Sequence, residues 1–416
     1  MANRFVKNVS VLASGTAISQ LILVAVLPFL TRIYTPKDFE ALALFLAIFS
    51  IINVIICLRF EIAIPIAKDD NSAISLVLLS LISSLIIIML ISVIIFFFQE
   101  QINILTDYKI STSLWLLPVA LIFWGGYTAF QYWATRKKQF SKIAKTRLIQ
   151  SINGSMLQLI LGVSGIGALG LLLGYIIQIG SGIFSLAVFF FKEAKENILN
   201  TKIHMLKKVF LEYKRFPKYS TWEALANSVG IQVPIILIAS YAIGAEAGYI
   251  MLAMRLLSAP MSLIGGAVAQ VYLSEAPTHY QLGQLKEFTY KTITSLLKIS
   301  IIPMILVAIL SPILVPIIFG IEWARVGVLI TWMVPWFLLQ FIVSPVSMAL
   351  HITDNQKSAL ILQIVGALFR VGAVWLIVCN ELFFVGEVYA VSSMVFYILY
   401  LVIILNIVHK NRFNKS

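Results

Sequence analysis

Charge is scarce in this sequence. Only 12% of its 416 residues are Asp, Glu, Lys or Arg, while 60% are hydrophobic; a soluble domain averages about 25% charged and about 45–50% apolar. The mean hydropathy of +0.96 excludes a soluble enzyme, and so apolar a chain is not disordered. Cysteine is almost absent. Cys57 and Cys379 fall in different apolar segments, so neither a disulfide nor a metal pair is expected. The histidines His204, His279, His351 and His409 are scattered, with no HExxH or Cys/His spacing, and no GxxxxGK[ST] loop occurs. That leaves no motif for zinc chemistry or for ATP hydrolysis by this chain. No metal site and no cofactor are expected.

What is present is a series of apolar blocks, many of about 20 residues or more, the length that crosses a bilayer as helix. They lie near 9–31, 39–60, 73–98, 111–134, 148–167, 169–191, 219–242, 246–273, 291–319, 326–350, 358–379 and 383–408. Gly162, Gly165, Gly167 and Gly170 mark the turn between the fifth and sixth. The first block is too long for a secretory signal, whose apolar core runs about 7–15 residues, and it lacks a small-residue cleavage site. It is read as a retained span.

The formal charge is +13. In a soluble protein that would suggest nucleic acid, but no segment here is long enough to fold as a soluble binding module. The basic residues instead set orientation. With the amino terminus in the cytoplasm, the outer loops hold only Arg32, Lys37, Lys109 and Arg325, and Arg59, Arg255 and Arg370 lie within or at the edge of spans. All other Lys and Arg fall inside, including Arg136, Lys137, Lys138, Lys142, Lys145 and Arg147 of one loop. The predicted fold is an all-α polytopic membrane protein. It has twelve transmembrane helices in two six-helix halves, 1–191 and 219–416, with both termini cytoplasmic.

The 192–218 linker between the halves repeats Leu199, Ile203, Leu206, Phe210 and Tyr213 at steps of four and three, with Lys202, Lys207, Lys208, Lys214 and Arg215 off the stripe. This predicts a basic amphipathic helix on the cytoplasmic membrane face. A weaker version covers 281–298. Span one (Ser14, Gly15, Gln20, Pro28) and span seven (Asn227, Ser228, Gly230, Gln232, Pro234) share features. Two repeated halves around a central path is a common plan of secondary transporters.

Polar residues inside spans are the candidates for function, because an arginine at mid-span costs about 2.5–3.5 kcal/mol on insertion scales. Arg255 and Arg370 lie deepest, with Arg59 and Lys298 nearer the inner ends of their spans. Together they predict a cationic cavity for an anionic group; the alternatives are pairing with a buried carboxylate or helix carbonyls for Arg255 and Arg370, and snorkelling to the headgroups for Arg59 and Lys298. Glu61, Glu223 and Glu387 are the carboxylates placed either to carry a coupling proton or sodium ion or to serve as interface anchors and partners for arginine. Pro28, Pro234 and Pro260 interrupt apolar runs and are the expected hinges. Asp69-Asp70 reads as a solvated turn.

Four stretches carry a family resemblance. The first is Ser14–Gln20 with Pro28, Leu30-Thr31-Arg32, Tyr34-Thr35-Pro36 and Phe39. The second is Tyr132-Trp133, Arg136, Phe140, Ile143-Ala144, Arg147 and Gln150, and the third Gly167, Gly170-Leu171 and Gly174. The fourth is Asn227, Pro234, Gly244, Gly248-Tyr249, Ala253-Met254-Arg255-Leu256, Pro260 and Gln270-Val271. The ordered set resembles the Wzx-type polysaccharide flippases of the multidrug/oligosaccharidyl-lipid/polysaccharide (MOP) exporter superfamily. Glu40 departs from it, standing where such proteins often have glycine.

The resemblance implies a flippase, not an enzyme, in the bacterial inner membrane. Its cargo would be a polyprenyl-diphosphate-linked oligosaccharide, for O-antigen, capsule or another polymer. Its partners would be that glycan and membrane lipid, with polymerase contact left open and no nucleic acid. Two rivals stand beside it. A drug/cation antiporter of the same superfamily would favour carboxylates in its cavity, whereas Arg255 and Arg370 lie deep here. A membrane polysaccharide polymerase or ligase calls for a long outer loop, and the outer loops are short.

Overall fold

A bilayer leaves backbone amides no partner but the chain itself, so apolar segments of this length close their hydrogen bonds as helices. The computed structural model describes residues 2–199, 203–353, 355–380 and 384–410, with no strand among them. Each of the twelve apolar segments coincides with a helix or a pair of helices. Among the described residues eight such stretches are long and apolar enough to cross a membrane. The other four segments are helical too, but carry more polar or charged side chains, such as Gln150, Asn153 and Arg255.

The chain gathers into two compact units. One comprises residues 1–34 and 41–232, the other 35–40 and 233–416. The first holds α1 (Ala2–Ile33), all but the first turn of α2 (Pro36–Asn53), α3 (Phe60–Ala63), α4 (Asp70–Leu105), α5 (Leu116–Arg136), α6 (Phe140–Val163), α7 (Ala168–Gly180), α8 (Ile183–Leu199) and α9 (Ile203–Glu212). It also holds the first half of α10 (Thr221–Tyr241). Here α6 packs on α1 and α7, and α5 on α4, α7 and α8. Small residues permit the closest approaches: a Cβ on Gly15 would stand 2.6 Å from that of Ala144. The predicted glycine turn is found between α6 and α7, where Gly165 and Gly167 have φ of +73° and +65°.

The Asp69-Asp70 pair does more than solvate a turn. Asp69 caps α4, accepting a 2.7 Å bond from the Ser72 amide. Asp70 takes Arg136 Nε at 2.9 Å and Lys137 Nζ at 2.6 Å, while Arg136 Nη1 donates to the Ala67 carbonyl. The loop before α4 is thereby tied to the end of α5.

The linker stripe is only partly as predicted. In α9 Val209 is the buried residue, and Leu206 and Tyr213 are half-buried. Ile203 is 85% exposed, because packing on the unit selects a face rotated from the periodic stripe. Leu199 as a side chain and Lys202 lie outside the described residues. So do Arg412 and Lys415 of the tail.

The second unit is organised around α14 (Ala324–Val346), which packs against α11 (Glu246–Pro260), α12 (Gly266–Gln281), α13 (Leu285–Phe319) and α17 (Val385–Lys410). The short α15 (Ala349–Ile352) leads to α16 (Gln356–Cys379), which packs on α17. The first turn of α2 belongs here: Phe39 meets Trp323 edge-on at 4.8 Å. At the α13–α14 crossing, a Cβ on Gly327 would stand 2.6 Å from the Ser311 carbonyl oxygen. That neighbour is backbone and cannot swing away.

Gly327→Ala therefore forces α13 and α14 apart and should cost about 1–3 kcal/mol. Gly372→Ala on α16, where nothing lies within 4 Å of the new methyl, should be neutral or stabilising by about 0.5–1 kcal/mol. Thermal unfolding of the two purified variants in detergent checks the contrast.

Candidate functional site: a polar cavity in the first unit

On α1, Thr16, Ser19, Gln20 and Leu23 recur at helical spacing. On α5, Trp124, Tyr127 and Gln131 do the same, and on α6, Arg147, Gln150 and Ser151. Three- and four-residue steps put each set on one helix face. With Gln178 of α7, these residues line one cavity of about 330 Å³. Its walls carry four carboxamides, three hydroxyl-bearing residues besides the Tyr127 phenol, one guanidinium and no carboxylate.

Several of these groups are held in place. Arg147 Nη1 donates to Thr16 Oγ1, bridging α6 to α1. The Gln150 amide donates to the Ile179 carbonyl at 3.1 Å, bridging α6 to α7. Tyr127 shares a 3.2 Å bond with Thr146. Gln178 packs close over Gly154, and its buried Oε1 has no hydrogen-bond partner. A buried acceptor left open is costly unless water or a ligand meets it. The cavity therefore presents a fixed cation, amide donors and acceptors, and two aromatic rings.

Most of the cavity escapes the sequence reading. Arg147 counts there with the basic loop, but α6 begins at Phe140, so Arg147 stands two turns inside a helix. The signal was available as polar residues at helical spacing on α1, α5 and α6.

The residues proposed as a cationic cavity are not brought together there. Arg59, half-buried, precedes α3 in a left-handed conformation, with Nε enclosed and unbonded. Arg255 is half-buried on α11, and Lys298 is exposed on α13. Arg370 is 0% exposed. Its Nε donates to the Gly366 carbonyl at 3.1 Å, its guanidinium lies 4.3 Å over the Phe396 ring, and Nη2 has no hydrogen-bond partner.

Among the carboxylates, Glu61 is buried on α3 with Oε2 unbonded, and Glu223 is half-buried at the start of α10. Glu387 is engaged. Arg325 Nη1 and Nη2 reach its two oxygens at 2.6 and 2.7 Å, and the same guanidinium reaches Glu246 at 2.7 and 3.2 Å. One arginine thus joins α11, α14 and α17. Of the prolines, Pro28 and Pro234 lie within continuous helices, while α11 ends at Pro260 and passes into a wider turn over Met261–Gly265.

The fold is that of the MOP-superfamily transporters. An inward-facing multidrug-resistance MATE transporter of that superfamily matches with a TM-score of 0.68 at 15% identity, over 94% of this chain and 98% of its own. The lipid II flippase MurJ in an inward closed conformation matches with a TM-score of 0.70 at 16% identity, over 94% and 86%. A MOP transporter from Pyrococcus furiosus, described as having a binding pocket of reversed polarity, matches with a TM-score of 0.57 at 13% identity, over 97% and 96%. No curated protein matches the sequence. Residues 29–327 match the profile of the family described as "Polysaccharide biosynthesis protein", and the chain belongs to that family. Membership and fold bear out the resemblance drawn from the four sequence stretches.

Arg325→Gln leaves two carboxylates facing each other in a half-buried site and should destabilise the protein by about 3 kcal/mol. Glu387→Gln should cost less, because Arg325 keeps both bonds to Glu246. Unfolding midpoints of the two variants measure the order, and equal midpoints would refute it.

Proposed function

We propose that this membrane protein is a flippase. It carries a polyprenyl-diphosphate-linked oligosaccharide from the cytoplasmic to the outer leaflet of a bacterial inner membrane, through twelve spans with both ends cytoplasmic. The observation that carries the reading is the first-unit cavity, with its single guanidinium, four carboxamides and no carboxylate.

A glycan is a dense array of hydroxyls, each of which both donates and accepts. Carboxamides do the same, so Gln20, Gln131, Gln150 and Gln178 match it without imposing a charge. Trp124 and Tyr127 add ring faces for the apolar faces of sugars. Arg147 supplies the cation that a diphosphate needs, in a forked geometry suited to it. Moving such a headgroup through about 30 Å of hydrocarbon without a polar path is prohibitive, while the prenyl tail can stay in lipid. A cationic drug would require the carboxylate that this cavity lacks, which disfavours the antiporter reading. Family membership in polysaccharide biosynthesis supports the same direction. Alternating access would come from movement of one half against the other.

Loss of the guanidinium removes charge-assisted bonds of about 1.5–3 kcal/mol. Arg147→Ala should therefore lower export of lipid-linked glycan at least tenfold (about 1.4 kcal/mol) with the protein still present in the membrane. Arg147→Lys should restore part of it. Surface glycan measured in cells carrying each variant as the sole copy decides it. Wild-type glycan with Arg147→Ala would sink the proposal.

A further inference from the structure

The second unit holds a cavity of opposite chemistry. It measures about 510 Å³ and lies in the hairpin of α12 and α13. Its polar end presents Glu275 from α12 and Glu287 and Lys291 from successive turns of α13. None of the three forms an ion pair within 4 Å among the described residues, and His279 Nδ1, enclosed beside them, has no hydrogen-bond partner. The wall is rigid. Tyr272, Phe288 and His279 form a stack, with centroids 5.3 and 4.3 Å apart, and Tyr272 is bonded to Thr289 at 2.8 Å.

The other end is apolar, at Leu296 and Ile299. From Ile299 the same stripe of α13 continues through Ile302, Leu306, Ile309 and Ile313, all exposed. At 1.5 Å per residue this rail is about 21 Å long, a large part of the ~30 Å hydrocarbon thickness. Residues 285–298 precede it, so the charged end of the cavity stands at headgroup level.

We infer that this cavity binds a phospholipid bearing both a primary ammonium and a phosphodiester, such as phosphatidylethanolamine. Glu275 and Glu287 hold the ammonium, Lys291 meets the phosphate, and an acyl chain lies along the Ile299–Ile313 stripe. Two carboxylates against one lysine make the polar end acidic, so an anionic headgroup is repelled. A quaternary ammonium, with no N–H, cannot donate to the carboxylates. The site is independent of what the transporter carries.

The test is native mass spectrometry of the full-length protein in detergent, with phosphatidylethanolamine, phosphatidylglycerol and phosphatidylcholine of matched chains added in turn. Phosphatidylethanolamine should be retained roughly tenfold better than the other two, as two exposed charge pairs permit. Glu275→Gln/Glu287→Gln, at exposed positions, should remove that preference without moving the unfolding temperature. Lys291→Gln should weaken all three lipids. Equal retention of the three by the unaltered protein would overturn the inference, as would a preference that survives in the double variant. Water-soluble glycerophosphoethanolamine binding as tightly as the lipid would overturn the acyl-chain part.

Discussion

Inside hydrocarbon a polar side chain must meet a partner within the protein or face water, because lipid offers it nothing. That constraint organises both units. On α1, α5 and α6 the polar residues fall into stripes at helical spacing, and the four cavity helices meet along them. The close contacts at Gly15 and Gly154 bring those stripes within reach of one another. A bulkier residue at either position would push apart helices whose polar faces depend on that closeness.

The arginines show three outcomes of the same constraint. Arg325 is neutralised twice over by Glu246 and Glu387 and acts as a fastener between three helices. Arg370 is enclosed, with one backbone acceptor and the face of Phe396 in place of a counter-ion. A cation over a ring is worth about 2 kcal/mol when desolvated, which offsets part of the cost of enclosing it. Arg147 faces a cavity and is steadied by the Thr16 hydroxyl rather than by a carboxylate. A hydroxyl orients the guanidinium without quenching its charge, so of these three arginines it is Arg147 that combines fixed geometry with a field directed into a cavity.

The helices were largely legible in the sequence, because apolar blocks of bilayer length leave the backbone one solution. Their ends were less so. The apolar run of the fifth segment starts near 148, yet α6 starts at Phe140. Its first turns carry Lys142, Lys145 and Arg147, which composition alone assigns to a loop. The positive-inside rule accounts for that run as a group and so hid its one cavity member. Arg370 illustrates the complementary difficulty. Depth along a span says that an arginine needs a partner, but only the packing of α16 on α17 decides that the partner is an aromatic ring. The four cavity glutamines carry no charge and stand one each on α1, α5, α6 and α7, so in the sequence they are marked only by the polar stripes they share with neighbouring side chains on α1, α5 and α6.

The two cavities differ in what they refuse. In water-poor surroundings a carboxylate repels a phosphate strongly, and a guanidinium repels an ammonium as strongly. The first-unit cavity has no carboxylate, so a phosphate-bearing headgroup meets no like charge there, and its amides accept any arrangement of hydroxyls. The α12–α13 cavity has two carboxylates and one lysine, so a diphosphate is disfavoured and an ammonium welcome. A transporter in a bilayer is surrounded by far more phospholipid than cargo. A cavity lined without acid gives an ammonium group no counter-ion, so under the proposed function any advantage of a diphosphate over an ordinary phospholipid rests on its greater negative charge and on the hydroxyls of its glycan.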